Sequence, residues 1–64
     1  MRILPNVTIE SYPRTTDQKS RLAKAITDDV VKIFEARPDD VRIEFIELPP
    51  TNIARGGKLG SENR

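Results

Sequence analysis

The sequence predicts one small α/β domain in which a long helix joins two parallel strands, an α+β arrangement of β-α-β order with a short C-terminal hairpin. Three observations lead to this prediction. Two short segments alternate apolar and polar residues, a long segment between them repeats its apolar residues at helical spacing, and proline or glycine marks the boundaries. We expect residues 1–64 to form a single domain, with residues 1–4 as an N-terminal extension and residues 61–64 as a frayed tail.

The first strand is predicted from Pro5 to Ser11. Val7 and Ile9 alternate with polar residues in this segment, and a period of two with β-branched side chains is typical of a half-buried strand. Pro13 cannot donate a hydrogen bond to a neighbouring strand, so the strand should end before it.

A helix is predicted to begin after Thr15, because Thr15 and Gln18 have the spacing of a capping box. It should end near Glu35 or Ala36, because Pro38 disfavours the helical conformation of the residue before it. The apolar residues of this segment fall on one face of the helix: Leu22, Ala23, Ile26, Val30, Ile33 and Phe34.

The second strand is predicted over residues 41–48, where Val41, Ile43 and Phe45 share one face, and the proline pair that follows should stop it. The two glycines Gly56 and Gly57 then indicate a hairpin turn. The order strand, helix, strand favours a parallel pair with a right-handed crossover.

The chain is too short to be stabilised by its own core alone. A domain of 64 residues buries only roughly 60% of the surface that its unfolded chain exposes. The sequence contains no cysteine and no histidine, which excludes disulfides, zinc-finger ligand sets and histidine acid–base catalysis. We expect no metal and no cofactor, and we expect the chain to complete its sheet by pairing with copies of itself.

Charge and hydropathy exclude other classes of protein. The net charge is +1 and there are only three aromatic residues, which disfavours a nucleic-acid-binding surface. No apolar stretch is long enough to cross a membrane or to serve as a secretion signal, so we expect a cytoplasmic protein.

Most of the polar residues that could take part in catalysis have simpler roles. Thr15 and Thr16 lie at the predicted helix start, where a hydroxyl caps the helix and no histidine is present to activate it. Arg14 and Arg42 are stronger candidates, since a pair of guanidinium groups can bind carboxylates in a bidentate manner; the alternative is that each is a surface ion-pair partner. The acidic residues are expected to be solvated at a cap, on the helix surface or in a turn: Asp17, Asp28, Asp29, Asp39 and Asp40.

Several motifs together resemble the 4-oxalocrotonate tautomerase family of the tautomerase superfamily. The resemblance covers the chain from Pro5 to about Ser61 and implies a β-α-β subunit assembled into a hexamer, a trimer of dimers. It further implies a cofactor-independent isomerase that interconverts the enol and keto forms of a small unsaturated dicarboxylate of the 2-hydroxymuconate or 4-oxalocrotonate type. The motifs are Pro5-Asn6-Val7-Thr8-Ile9-Glu10, Arg14-Thr15-Thr16-Asp17-Gln18-Lys19, Val41-Arg42-Ile43, Glu47, Pro49 and Gly56-Gly57.

The resemblance also implies a role for individual residues. Pro5 corresponds to the amino-terminal proline that acts as the general base, a secondary amine whose protonated form an apolar pocket disfavours. Arg14 and Arg42 correspond to the arginines that bind the substrate carboxylates and polarise the carbonyl, and in the family these meet across subunit boundaries. Ile53 stands at a position where the family commonly has an aromatic residue and would line the pocket.

The sequence departs from the family pattern in two further respects. The segment between Pro5 and Arg14 is one residue shorter than usual, and Pro5 follows Leu4, so its nitrogen is an amide without a basic lone pair. One interpretation is that the chain begins at Met1 and is a non-catalytic subunit, a structural partner in a hetero-oligomer. The other, which we favour because both arginines remain, is that translation starts at the codon of Leu4 and removal of the initiator methionine frees Pro5.

Overall fold

A computed structural model describes residues 4–62 of the chain. Its main elements are strand β1 (Asn6–Ser11), helix α1 (Thr16–Phe34) and strand β2 (Arg42–Glu47), followed by a hairpin of two short strands, β3 (Ala54–Arg55) and β4 (Lys58–Leu59). β1 and β2 are parallel, in a two-stranded sheet. The predicted β-α-β order with a C-terminal hairpin is confirmed.

The ends of helix α1 follow from its sequence. Thr15 is the N-cap: its hydroxyl accepts a hydrogen bond from the Gln18 amide at 3.1 Å, and the Gln18 side chain accepts one from the Thr15 amide at 3.2 Å. This reciprocal capping box is the one predicted from the spacing. At the other end Glu35 adopts a left-handed conformation, with φ of 57°, and stops the helix where Pro38 required it to stop.

The register of the sheet decides which side chains face the helix. Val7 lies opposite Ile43 and Ile9 opposite Phe45, and all four are half-buried. Asn6, the residue before Val7, lies opposite Arg42, and both are exposed. Because successive residues of a strand point to opposite faces, these four apolar residues lie on the face towards α1, and Asn6 and Arg42 lie on the other face.

The C-terminal segment folds into tight turns. Gly56 and Gly57 have φ values of 61° and 83°, the conformation that a two-residue hairpin turn requires. Gly60 lies so close to the Tyr12 hydroxyl that any side chain there would collide with it. Gly60–Glu62 forms a single helical turn, and the Glu62 carboxylate accepts a hydrogen bond from the Leu59 amide at 2.7 Å. Residues 63 and 64, the other half of the predicted frayed tail, lie outside the described part.

The single chain is open and elongated. Its dimensions are 46 × 24 × 14 Å and its radius of gyration is 15.2 Å, against about 11 Å for a compact domain of this length. Ala36 is the one buried hydrophobic residue in the described part of the chain, whereas Ile33 is 71% exposed and Phe34 is 55% exposed. The helix therefore carries more apolar surface than the two strands can cover. Within residues 4–62 no helix is both long and apolar enough to span a membrane.

Candidate functional site

Two of the predicted site residues lie where the parallel strands begin. Pro5 directly precedes β1 and is half-buried, and its carbonyl accepts a hydrogen bond from the Arg42 amide at 3.0 Å. This bond extends the parallel ladder by one step beyond Asn6. We call this region, formed by Pro5, Asn6 and Arg42, the Pro5 end of the sheet.

Pro5 and Arg42 are neighbours along the backbone ladder, but they do not share a face. Pro5 is in step with Val7 and Ile9 on the side that α1 covers, whereas Arg42 is in step with Asn6 on the exposed side. The Arg42 side chain is therefore available to a second molecule that approaches the exposed face, rather than to the proline of its own chain.

Arg14 lies at the opposite end of the sheet. Strand β1, six residues long, separates it from Pro5 by roughly 20 Å. Its side chain borders a pocket of about 260 Å³ between the start of α1 and the ends of both strands. We call the region that includes Arg14, Tyr12, Glu47 and the hairpin the Arg14 end. The pocket is lined by Ile9, Ser11, Arg14, Gln18, Lys19, Leu22 and Phe45.

Glu47 fixes the position of Arg14. One carboxylate oxygen accepts a hydrogen bond from the Arg14 amide at 2.8 Å, and the other pairs with the Lys19 ammonium group at 3.1 Å. Two contacts lower the pKa of Glu47 below its ordinary value of 4.5. The larger effect comes from the hydrogen bond that the Arg14 amide donates, and the second from the Lys19 ammonium group. A carboxylate at the last residue of β2 thus ties the turn before α1 to the sheet.

Sequence reasoning identified Glu47 only as part of a motif and gave it no role. Its partner Arg14 is 33 residues away along the chain, and no local pattern indicates such a contact. The signal that could have found it is its place at the end of a strand beside a predicted helix start, where backbone amides are free to donate.

A second cavity, the hairpin groove, lies beside the same end of β1. It has a volume of about 420 Å³ and contains Ile53, the residue predicted to line the substrate pocket. Ile53 is half-buried, and its carbonyl accepts a hydrogen bond from the Gly60 amide at 2.8 Å. The groove is lined by Ser11, Tyr12, Ile53, Arg55, Lys58 and Gly60.

The structure therefore divides the predicted site between two ends of one chain. Arg14 and Ile53 lie at the Arg14 end, Pro5 and Arg42 at the Pro5 end, and these last two lie on different faces. A chain of this shape can form one joint cavity from these residues only when the ends of different copies meet. Among the described residues no group of three or more acidic side chains is close enough to hold a metal ion.

Comparison with known proteins agrees with this fold. The family model described as "Tautomerase enzyme" matches residues 5–63, which begins at Pro5 and spans every element. No curated protein is significantly similar to the chain.

Solved structures with the same fold include a 4-oxalocrotonate tautomerase isozyme from Methylibium petroleiphilum, which is 32% identical over 92% of this chain and 94% of that one, with a TM-score of 0.85. A heterohexameric 4-oxalocrotonate tautomerase from Chloroflexus aurantiacus J-10-fl is 31% identical over 97% of this chain and 100% of that one, with a TM-score of 0.80. TomN, a homologue in the tomaymycin biosynthetic pathway, has a TM-score of 0.87 over 94% of each chain; at 23% identity it is similar in fold alone.

Proposed function

Because this chain belongs to the tautomerase family, we propose that it is a cofactor-independent isomerase of a small unsaturated dicarboxylate of the 2-hydroxymuconate or 4-oxalocrotonate type. The observation that carries the proposal is the position of Pro5, half-buried on the apolar side of the sheet and held by the Arg42 amide at 3.0 Å. An amine at this point, once a neighbouring chain covers it, would be partly dehydrated, and dehydration favours a neutral base over its protonated form.

In the proposed reaction Pro5 is the general base, and it acts only when it is the first residue. Its free secondary amine takes the proton from the enol hydroxyl and returns it to a carbon of the conjugated chain. The enol O–H bond breaks, a C–H bond forms and the carbonyl is generated, so that no other reactant is consumed. While Leu4 is attached, the Pro5 nitrogen is an amide and cannot accept the proton.

The two arginines would bind the negative charges of the substrate. Arg14 would hold one carboxylate, and Arg42 would hold the other and stabilise the oxygen on which charge develops. Ile53 would form an apolar wall of the same pocket. The sequence contains no histidine and no cysteine, so proton transfer would depend on Pro5 and charge stabilisation on the two arginines.

The active form would be an oligomer, for which a homohexamer is our proposal. Large exposed apolar side chains on the helix support it, since Leu22, Ile33 and Phe34 are 43%, 71% and 55% exposed in the single chain. The separation of Pro5 from Arg14 also supports it, because only a second chain can bring the two ends together.

Two recombinant forms test the proposed function. One begins at Met1 and the other begins at Pro5 after removal of an initiator methionine, and intact mass verifies each amino terminus. We expect the Pro5-first form to convert 2-hydroxymuconate to its keto isomer, and the Met1-first form to be inactive although it has the same fold by circular dichroism. Equal activity of both forms would contradict the role of Pro5, and inactivity of both would contradict the proposed function.

A non-catalytic role is the second candidate, favoured by the peptide bond between Leu4 and Pro5. The chain would then be a structural subunit that pairs with a related, proline-first chain. One of the similar solved structures is a heterohexamer, so such mixed assembly occurs within the fold. In that case Arg14 or Arg42 of this chain would serve a site whose base belongs to the partner.

A further inference from the structure

The hairpin groove contains two cations that face each other. Arg55 and Lys58 lie opposite one another in the register of β3 and β4, on either side of the Gly56–Gly57 turn, and both line the groove. Like charges directly opposite across a strand pair destabilise it. Within residues 4–62 neither side chain has an ion pair or a hydrogen bond. No contact within the described residues therefore offsets the repulsion between Arg55 and Lys58. A bound anion would offset it.

The hairpin holds the backbone of Arg55 and Lys58 in a fixed position relative to β1, and both side chains are exposed. The tight glycine turn sets their spacing, the Gly60 amide donates to the Ile53 carbonyl at 2.8 Å, and the contact of Gly60 with Tyr12 anchors the hairpin to the end of β1. The nearest acidic residue along the chain, Glu62, is engaged by the Leu59 amide at 2.7 Å instead of by either cation.

The rest of the groove suits a ligand that has an apolar body. Ile53 provides an aliphatic wall and Tyr12 an aromatic one. The volume of about 420 Å³ lies in the range of small-molecule sites, which combine an apolar lining with a few oriented polar groups. A carboxylate on a short unsaturated chain has this combination of charge and apolar surface.

We propose that the hairpin groove is a carboxylate-binding subsite in which Arg55 and Lys58 supplement Arg14 and bind the same carboxylate of the ligand, while Arg42 of another chain binds the second one. The inference rests on the proposed function for the identity of the ligand, a dicarboxylate. It adds two residues that determine specificity, because a strong cationic site at this end lets a dicarboxylate use both ends of the cavity, whereas a monocarboxylate can use only one. Binding itself does not require a free Pro5 amine.

Calorimetry with the full Met1-first chain tests this subsite, because that form cannot turn the ligand over. The probes are muconate, a dicarboxylate, and sorbate, a monocarboxylate of the same chain length. We expect muconate to bind at least tenfold more tightly than sorbate, and we expect the double variant Arg55→Gln/Lys58→Gln to lose roughly tenfold in muconate affinity, which corresponds to about 1.4 kcal/mol. In this variant the preference for muconate over sorbate should become smaller.

A matched control removes the same charge elsewhere. Arg21→Gln/Lys24→Gln changes two cations on the outer face of α1, which are 73% and 80% exposed, and muconate affinity should change by less than about twofold. Size-exclusion chromatography checks that each variant keeps its assembly. A further variant, Arg55→Lys/Lys58→Arg, keeps both charges and should retain the preference for muconate.

Any one of three results would overturn the subsite. These are a failure of muconate to bind the unchanged chain, an unchanged muconate affinity in the double variant, and a loss of affinity in the control variant as large as that in the double variant. The test of the subsite and the test of the proposed function can fail independently of each other. If the Pro5-first form is active and Arg55→Gln/Lys58→Gln leaves its KM unchanged, the subsite is wrong and the activity stands. If muconate binding depends on both cations but no form is active, the subsite stands and the proposed activity is wrong.

Discussion

The two ends of the parallel sheet are built in different ways. At the Pro5 end the contact between the strands is a backbone hydrogen bond, from the Arg42 amide to the Pro5 carbonyl. At the Arg14 end, side chains make the connections: Glu47 holds the Arg14 amide and Lys19, and Tyr12 packs against Gly60. The connection between the strands at the first end therefore does not depend on side-chain identity, whereas the connections at the second end depend on particular residues.

This difference has a consequence for function. The proposed base and Arg42 lie at the end that a backbone hydrogen bond holds in place, and Arg14, Ile53 and the hairpin groove lie at the end that side chains shape. A change of substrate can then arise through the Arg14 end without disturbing the base. In the proposed reaction both ends are needed, so substitutions at each can be compared directly.

The largest expected effect is on catalysis and should be of similar size at both ends. In the Pro5-first form, Arg14→Ala and Arg42→Ala should each lower kcat/KM by roughly 100-fold or more, because each removes a charged group that binds the substrate or stabilises the transition state. Steady-state kinetics with 2-hydroxymuconate measures this. Arg14→Lys and Arg42→Lys should restore only part of the loss, since a lysine cannot form a bidentate pair.

Arg21→Ala is the control for these variants. Arg21 is 73% exposed and pairs with Asp17 on the helix surface at 3.1 Å, so its loss should leave kcat/KM within about twofold. A large effect at one arginine and none at the other would contradict a site shared by both ends.

The next effect is on stability and should appear at the Arg14 end. Gly60→Ala introduces a methyl group into the space of the Tyr12 hydroxyl, and we expect it to lower the free energy of unfolding by about 1–3 kcal/mol. Tyr12→Phe in the same chain removes the nearest atom and should recover part of the loss. Urea denaturation at one protein concentration measures both. If Gly60→Ala is as stable as the unchanged chain, Tyr12 does not anchor the hairpin.

The smallest effect is a pH dependence caused by Glu47. Its pKa is lowered in the folded chain, so its stabilising effect is complete above the pKa of the unfolded chain and is lost as the pH falls through the folded value. The unchanged chain should thus exceed Glu47→Gln in stability at pH 7, and the difference should shrink as the pH falls below 4.5, the ordinary pKa of a glutamate. Denaturant unfolding at several pH values measures it.

Glu44→Gln provides the matched control for this measurement. Glu44 is exposed on the same strand and has no hydrogen bond or ion pair with the described residues. Glu44→Gln should therefore be as stable as the unchanged chain at every pH from 7 to 3. A constant difference for Glu47→Gln across this range would show that the charge on Glu47 does not stabilise the fold.

The elements of the fold could be predicted from the sequence because each depends on residues close together in the chain. The Thr15–Gln18 capping box, the stop before Pro38 and the Gly56–Gly57 turn are all local, and the structure contains all three. Burial was harder to predict, because Ile33 has the helical spacing of a core residue and yet is 71% exposed in the single chain.

The candidate site could be predicted only in part. The resemblance identified Pro5, Arg14, Arg42 and Ile53, but the sequence does not reveal that Pro5 and Arg42 lie on different faces, which depends on strand register. The hairpin groove was not predicted either. It forms because a turn near the C-terminus packs against the end of β1, a contact between segments far apart in sequence.

The central claim is that one site combines the ends of different chains, and complementation tests it most directly. Two inactive Pro5-first variants, Pro5→Ala and Arg14→Ala, are co-expressed with different tags and purified as mixed oligomers. If base and arginine come from different chains, random mixing should leave about a quarter of the sites intact, and activity should return to that fraction. Mixed oligomers that stay as inactive as either variant alone would contradict a shared site.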